Sequence, residues 1–212
     1  MTLKWNRKKY FIFDFDGTIA DTNSLHSKAF KEVFRSIGVS DFNYENYKGK
    51  RTYDVFYDYL RCRGMNFSNS DIQILVEKKQ LIARELMETE ITTFDGAIEF
   101  IGLLKQKGYI LAIATSSSRK GVTLALNVLG IYSMFDYIIT GEDIAHAKPS
   151  PDIYLKALKV AGIPSEEAIV FEDSESGVQA AESAGLEVVK VNSNCSQSYY
   201  CADFSTLIKI YN

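Results

Sequence analysis

The pattern of apolar and polar positions divides the chain into three parts: a short apolar run, a long stretch of helical periodicity, and a regular exchange of strands and helices. Tyr10 to Phe13 is continuous, apolar and rich in aromatics, which suits a parallel strand covered on both faces. Ser24 to Ile37 carries Leu25, Ala29, Phe30, Val33, Phe34 and Ile37 at helical spacing, and Gly38 supplies the stop. Thr52 to Arg63 and Asp71 to Met87 read as two further amphipathic helices, with no convincing strand between about Asn23 and Thr92.

From Asp95 onward the period changes. Helices Gly96 to Lys107, Lys120 to Leu129, Pro151 to Ala161 and Gly177 to Ala184 alternate with strands Tyr109 to Ala114, Tyr137 to Thr140, Ala168 to Phe171 and Glu187 to Val191. Alternation of this kind implies parallel pairing with right-handed crossovers. The reading is an α/β chain with a parallel sheet flanked by helices, from which the helical block of residues 23–92 leaves as an insertion. The segment Phe204 to Ile210 reads equally as a short strand or a short helix.

Composition narrows the partners. The 212 residues are 46% hydrophobic and 24% charged, with net charge −3 and no long basic block, so neither nucleic acid nor an acidic membrane is expected as a partner. Cys62, Cys195 and Cys201 form an odd set without a C-x-x-C pair, which suggests reduced thiols in a cytoplasmic protein. The apolar run after the basic N-terminus is interrupted by Asp14 too early for a signal peptide or membrane span.

The candidate chemistry gathers at the strand ends. Asp14-Phe15-Asp16-Gly17 follows the first strand. On an extended segment Asp14 and Asp16 face one way while Phe15 turns toward the core, and Gly17 lets the backbone turn and bring N–H groups near a ligand. Adjacent carboxylates repel each other and would expel an anion, so the pair makes sense mainly around a divalent cation with oxygen ligands, most naturally Mg²⁺. Alone, the same four residues also read as a strand followed by an Asx-rich turn.

Three later strand ends repeat the theme: the hydroxyls Thr115-Ser116-Ser117-Ser118, then Lys148-Pro149, then Glu172-Asp173-Ser174 leading to Gly177. Each has an ordinary reading as a helix cap, a solvated lysine or an acidic helix N-terminus. On one rim of one parallel sheet they make a site for a metal and a phosphate.

These residues, in this order, resemble the four motifs of the haloacid dehalogenase superfamily. Within it, Asp16-Gly17-Thr18-Ile19-Ala20-Asp21-Thr22 and Lys148-Pro149-Ser150-Pro151-Asp152-Ile153-Tyr154 look like the branch of β-phosphoglucomutases and phosphoglycolate phosphatases. The resemblance implies a Rossmann-like core, residues 1–22 and 93–212, with a helical cap, residues 23–92, inserted after the first strand. It implies Asp14 as nucleophile and Asp16 as general acid and base. Mg²⁺ would be held by the Asp14 carboxylate, the Asp16 carbonyl and Asp173, with Glu172 assisting directly or through water. Phosphate would be held by Phe15, Gly17, Thr115, Ser116 and Lys148.

In the cap, His26 matches a histidine that the mutase-like members carry near the linker, and otherwise reads as an exposed helix histidine. Lys48, Lys50 and Arg51 lie where relatives contact the distal part of the substrate, and otherwise form a solvated charge run. Tyr53, Phe56, Tyr57 and Tyr59 fall at helical spacing and read as cap core.

The resemblance also implies that the acid at Asp16, which the dehalogenating members lack, argues against dehalogenation, and that Thr18, typical of the phosphatases where mutases more often carry Val, argues for discharge of the phosphoryl group to water. The expected activity is therefore a Mg²⁺-dependent phosphatase acting on a small phosphorylated metabolite, as a monomer or weak homodimer. A sugar phosphomutase and a non-catalytic phosphate-binding member of the fold are the rival readings.

Overall fold

The five runs read as strands all enter one parallel sheet. The structure is a computed structural model describing residues 7–47, 50–192 and 200–211. Its strands are β1 (Tyr10–Phe13), β2 (Ile110–Ala114), β3 (Tyr137–Ile139), β4 (Ala168–Glu172), β5 (Glu187–Lys190) and β6 (Tyr200–Cys201). They pair in the order β3-β2-β1-β4-β5-β6. β1 lies between β2 and β4, so the strand order reverses there, and loops leaving the two neighbours part to open a crevice at the carboxyl ends.

The period of two along β1 sorts its side chains between two apolar layers. Phe11 and Phe13 pack with α4 (Ala97–Gln106), α5 (Arg119–Val128) and α8 (Phe204–Tyr211) on one face. Tyr10 and Ile12 pack with α6 (Asp152–Ala161) and α7 (Glu175–Ser183) on the other. All four side chains are fully buried. Gly108, Gly130, Gly162 and Gly185, the expected helix stops, all take positive φ.

The ambiguous tail resolves as helix because Phe204 and Leu207 bury their side chains against the sheet's first layer. The two-residue β6 that precedes it carries too few positions to show a period, and sequence reading passed over it.

The insert consists of α1 (Asn23–Ser36), α2 (Thr52–Cys62) and α3 (Asn69–Glu90), around an apolar cluster of its own that includes Phe30, Phe34, Phe56, Tyr59, Leu75 and Val76. Helix α3 begins two residues before the periodic stretch because Ser68 and Asp71 cap its first turn reciprocally. Tyr59 and Phe56 join the insert core as expected, whereas Tyr57 is exposed and Tyr53 only partly buried. These two lie four residues apart on the outer face of α2, where their rings stack. Helix α3 also packs against α5 of the core, so the insert sits over the carboxyl end of the sheet. Among the described residues, no helix is long and apolar enough to cross a membrane.

Candidate active site

Four strand ends deliver their side chains to the crevice beside β1. Asp14, in the residue after β1, is almost fully buried, at 6% exposed. Lys148 reaches it from the loop before α6: its Nζ donates to Asp14 Oδ1 at 2.7 Å, to Glu172 Oε1 at 2.5 Å and to the Ala114 carbonyl at 3.2 Å. Burial opposes the charge on Lys148, but Asp14 and Glu172 outweigh it and push its pKa above the ordinary lysine value. Burial likewise pushes the Asp14 carboxyl well above the usual carboxylate range. Lys148 resists that shift, and Glu172, Asp173 and Asp16 reinforce it.

Asp16 stands in a different setting. Its Oδ1 accepts from Thr22 Oγ1 at 2.6 Å and from His26 Nε2 at 2.9 Å, and its Oδ2 accepts from Ser117 Oγ at 2.6 Å and Thr115 Oγ1 at 3.1 Å. Burial alone would raise this carboxyl. The His26 ring, with the hydroxyls of Ser117 and Thr22, overcomes it and holds Asp16 below the usual range. His26 Nδ1 in turn lies 2.8 Å from Nζ of Lys79, a residue of α3 that is 4% exposed. Since an ionised Asp16 only accepts and an ammonium only donates, the network assigns the proton of a neutral His26 to Nε2. Burial lowers Lys79 to about 8 and, with Lys79 adjacent, lowers His26 as well.

The acidic groups fit a cation. One carboxylate oxygen from each of Asp14, Glu172 and Asp173 lies within 4.8 Å of the others. Three buried or half-buried carboxylates in contact, one with a raised pKa, is an arrangement that a divalent ion with oxygen ligands relieves. Glu172 is held on both oxygens. Lys148 and the Tyr154 hydroxyl, 3.2 Å away, occupy Oε1, and the N–H and hydroxyl of Ser174 occupy Oε2 at 2.9 and 3.0 Å. Four donors use the four lone-pair directions of a carboxylate, so Glu172 could ligate a metal directly only by giving up one of them.

A model of the haloacid dehalogenase-like hydrolases matches residues 11–191. The chain belongs to that family. CbbY of Rhodobacter capsulatus is 33% identical over 195 residues, covering 85% of this chain and 84% of its own. The phosphorylated carbohydrates phosphatase of Thermotoga maritima is 31% identical over 181 residues, covering 83% and 81%. Among solved structures, CbbY of Rhodobacter sphaeroides in complex with phosphate superposes with a TM-score of 0.81 at 31% identity, covering 92% of each chain. The β-phosphoglucomutase of Clostridium difficile shares the fold, with a TM-score of 0.81 at 23% identity over 97% of each chain.

In this haloacid dehalogenase-like hydrolase the predicted motif residues Asp14, Asp16, Thr115, Ser116 and Asp173 line one cavity of about 40 Å³, together with His26 and Lys50 from the insert. Lys148 and Glu172 join them through hydrogen bonds. His26 is not an exposed helix histidine: it is 6% exposed and bonded to Asp16.

Four expectations require correction or limits. The Gly17 N–H donates to the Ala20 carbonyl at 2.8 Å, so it is spent on the turn and is not presented to a ligand. Gly17 serves by its shape: at φ 88° any Cβ would stand 2.3 Å from Asp173 Oδ2. Phe15 turns its ring into the core, 1% exposed, so only its backbone is available for phosphate. Arg51 points away from the cavity, with its guanidinium on the carbonyls of Ile144 and Ala145. Lys48 lies outside the described residues.

Sequence reading named Ser117 only within the hydroxyl cluster and gave neither it nor Thr22 a contact to Asp16, and it missed Lys79. The hydroxyls carry no signal beyond ordinary turn chemistry. Lys79 does carry one, since Ile72, Leu75, Val76, Lys79, Ala83 and Met87 form one buried stripe of α3, and a lysine inside an apolar stripe needs a partner.

Proposed function

We propose that this chain is a Mg²⁺-dependent phosphatase that hydrolyses a small phosphate monoester, of a sugar, polyol or hydroxy acid, through an aspartyl-phosphate on Asp14. The chain is a haloacid dehalogenase-like hydrolase, and relatives at about 30% identity are named as phosphatases, which supports a phosphoric monoester hydrolase. The observation that carries the reading is the pairing of two unlike carboxylates two residues apart. Asp14 is held by Lys148, and Asp16 is held by Thr22, His26, Thr115 and Ser117.

In the first step the Asp14 carboxylate attacks phosphorus and the bond to the leaving alkoxide breaks, as Asp16 passes a proton to that oxygen. In the second step water attacks the aspartyl-phosphate, Asp16 takes its proton, and Asp14 is released with inorganic phosphate. Asp16 must gain a proton before the first step. The negative charge of a bound phosphoryl group opposes ionisation of Asp16, and the Thr115 and Ser117 hydroxyls that now stabilise its charge are placed to turn toward phosphoryl oxygens. The Lys79–His26 chain offers a proton route from the insert side. Lys148 stays protonated and offsets charge on Asp14 and the phosphoryl group. Asp14, the Asp16 carbonyl and Asp173 would hold Mg²⁺, with Glu172 acting through water, and the ion when bound would supply charge neutralisation for the phosphoryl oxygens.

The insert, residues 23–92, acts in this reading as a cap on the core of residues 1–22 and 93–212, excluding bulk water during the reaction. A phosphomutase is the second reading, favoured by the buried His26–Asp16 contact under a closed insert. A screen of phosphate esters with Mg²⁺, comparing wild type with Asp14→Asn, tests the proposal by released phosphate. Equal rates for the two proteins overturn it. Phosphorus NMR on a hexose 1-phosphate separates the readings, because hydrolysis yields free phosphate whereas mutase action yields a shifted ester.

A further inference from the structure

We propose that Arg51 is a positioning residue, a latch that seats the helical insert on the core loop leading to Lys148. The proposal rests on the reading of Lys148 as the lysine that meets the phosphoryl group. Arg51 immediately precedes α2, in the insert, yet its guanidinium crosses to the core. Nη2 donates to the Ile144 carbonyl at 2.8 Å and Nη1 to the Ala145 carbonyl at 3.1 Å. Its Nε is buried without a hydrogen-bond partner and lies beside Gly141, where a Cβ would stand 3.7 Å from Nε and 2.8 Å from the Ser116 carbonyl. Arg51 thus enters between the two core loops that begin with Thr115 and end with Lys148.

The receiving loop is tied at both ends, which is what lets a contact at one point act at another. Thr140 and Asp143 cap each other at its start, and the His146 N–H donates to Asp152 Oδ2 at 3.0 Å at its end. Three residues beyond Ala145, Lys148 grips Asp14 and Glu172. Lys50, next to Arg51, instead pairs with Asp58 inside the insert at 3.1 Å. Both acceptors of Arg51 are main-chain carbonyls of the core, so its bonds exist only while the insert is seated. The unpartnered Nε keeps the latch weaker than a fully bonded guanidinium, as a contact broken in every turnover requires.

The test has a kinetic arm and a structural arm. Arg51→Ala, Arg51→Gln and Arg51→Lys are compared with wild type on glycolate 2-phosphate, which bears a distal carboxylate, and on glycerol 2-phosphate, which does not. The expected result is a fall in kcat/KM of about tenfold for Arg51→Ala, equivalent to about 1.4 kcal/mol, equal for both substrates, with Arg51→Lys in between. In the second arm, a nitroxide on the exposed Cys62 of the insert and another on Lys156→Cys of the core report their separation, in a background of Cys195→Ser and Cys201→Ser, with Mg²⁺ and inorganic phosphate. Wild type should give one narrow distance population, and Arg51→Ala and Arg51→Gln a broadened one. A loss confined to glycolate 2-phosphate, or a distance distribution unchanged by the substitutions, overturns the latch. Failure of wild type to release phosphate from any ester would instead sink the phosphatase reading, leaving the distance measurement to decide the latch on its own.

Discussion

Nζ of Lys148 lies 2.7 Å from Oδ1 of Asp14 across a separation of 134 residues, and both side chains are buried. The ammonium is the counter-charge for two carboxylates at once, since Glu172 is the second. Lys148→Ala should therefore lower kcat by about 10²- to 10³-fold in a phosphate-release assay. It should also destabilise the fold by roughly 3–5 kcal/mol in urea unfolding, because two buried carboxylates lose their partner. A variant with unchanged kcat would exclude Lys148 from the reaction.

The His26 contact makes a prediction about pH. Asp16 is held below the ordinary carboxylate value of 3.8, so its interactions stabilise the fold fully above that value and are lost as pH falls below it. The stability gap between wild type and His26→Ala should be widest near neutrality and close below about pH 4. Acid unfolding followed by circular dichroism measures it. In the same variant kcat should fall by on the order of 10², the usual contribution of a tuned general acid.

Lys79 titrates in the opposite sense. Its pKa drops from 10.5 to about 8 on burial, so the folded state bears the cost of a buried ammonium below about pH 8 and is relieved of it between 8 and 10.5. Wild type should gain up to roughly 3 kcal/mol relative to Lys79→Met across that window, at about 1.4 kcal/mol per pH unit. Urea unfolding of both proteins at pH 7.5, 9 and 10 gives the comparison. A constant gap would mean that burial leaves the Lys79 pKa at its unfolded value.

Two glycines report on the acidic cluster. At Gly177 a Cβ would lie 1.7 Å from Glu172 Oε1, so Gly177→Ala should destabilise by about 2–4 kcal/mol although alanine favours a helix. Gly17→Ala strains a positive φ and displaces Asp173, so the Mg²⁺ concentration for half-maximal activity should rise at least tenfold. Activity of wild type should vanish with a chelator and return with Mg²⁺. Retention of full activity in excess chelator would remove the metal from the reading.

Several features were fixed by local pattern alone. The continuous apolar run Tyr10–Phe13 reports a strand covered on both faces, the apolar stripes of the helices report which side of each is buried, and glycines mark most helix ends. The order of motifs then placed acids, hydroxyls and a lysine on one rim of the sheet, because parallel strands carry all their C-terminal ends to the same edge. What spacing cannot encode is which of several possible partners a long polar side chain chooses. Arg51 is bonded to Ile144 and Ala145, and Lys79 from the third helix supports His26 from the first. Glu172 is filled by four donors, and the Gly17 N–H turns back on Ala20. The first two depend on packing the insert against the core and the last two on how the core loops close, and in each a polar group takes whichever partner lies within hydrogen-bond reach once water is excluded.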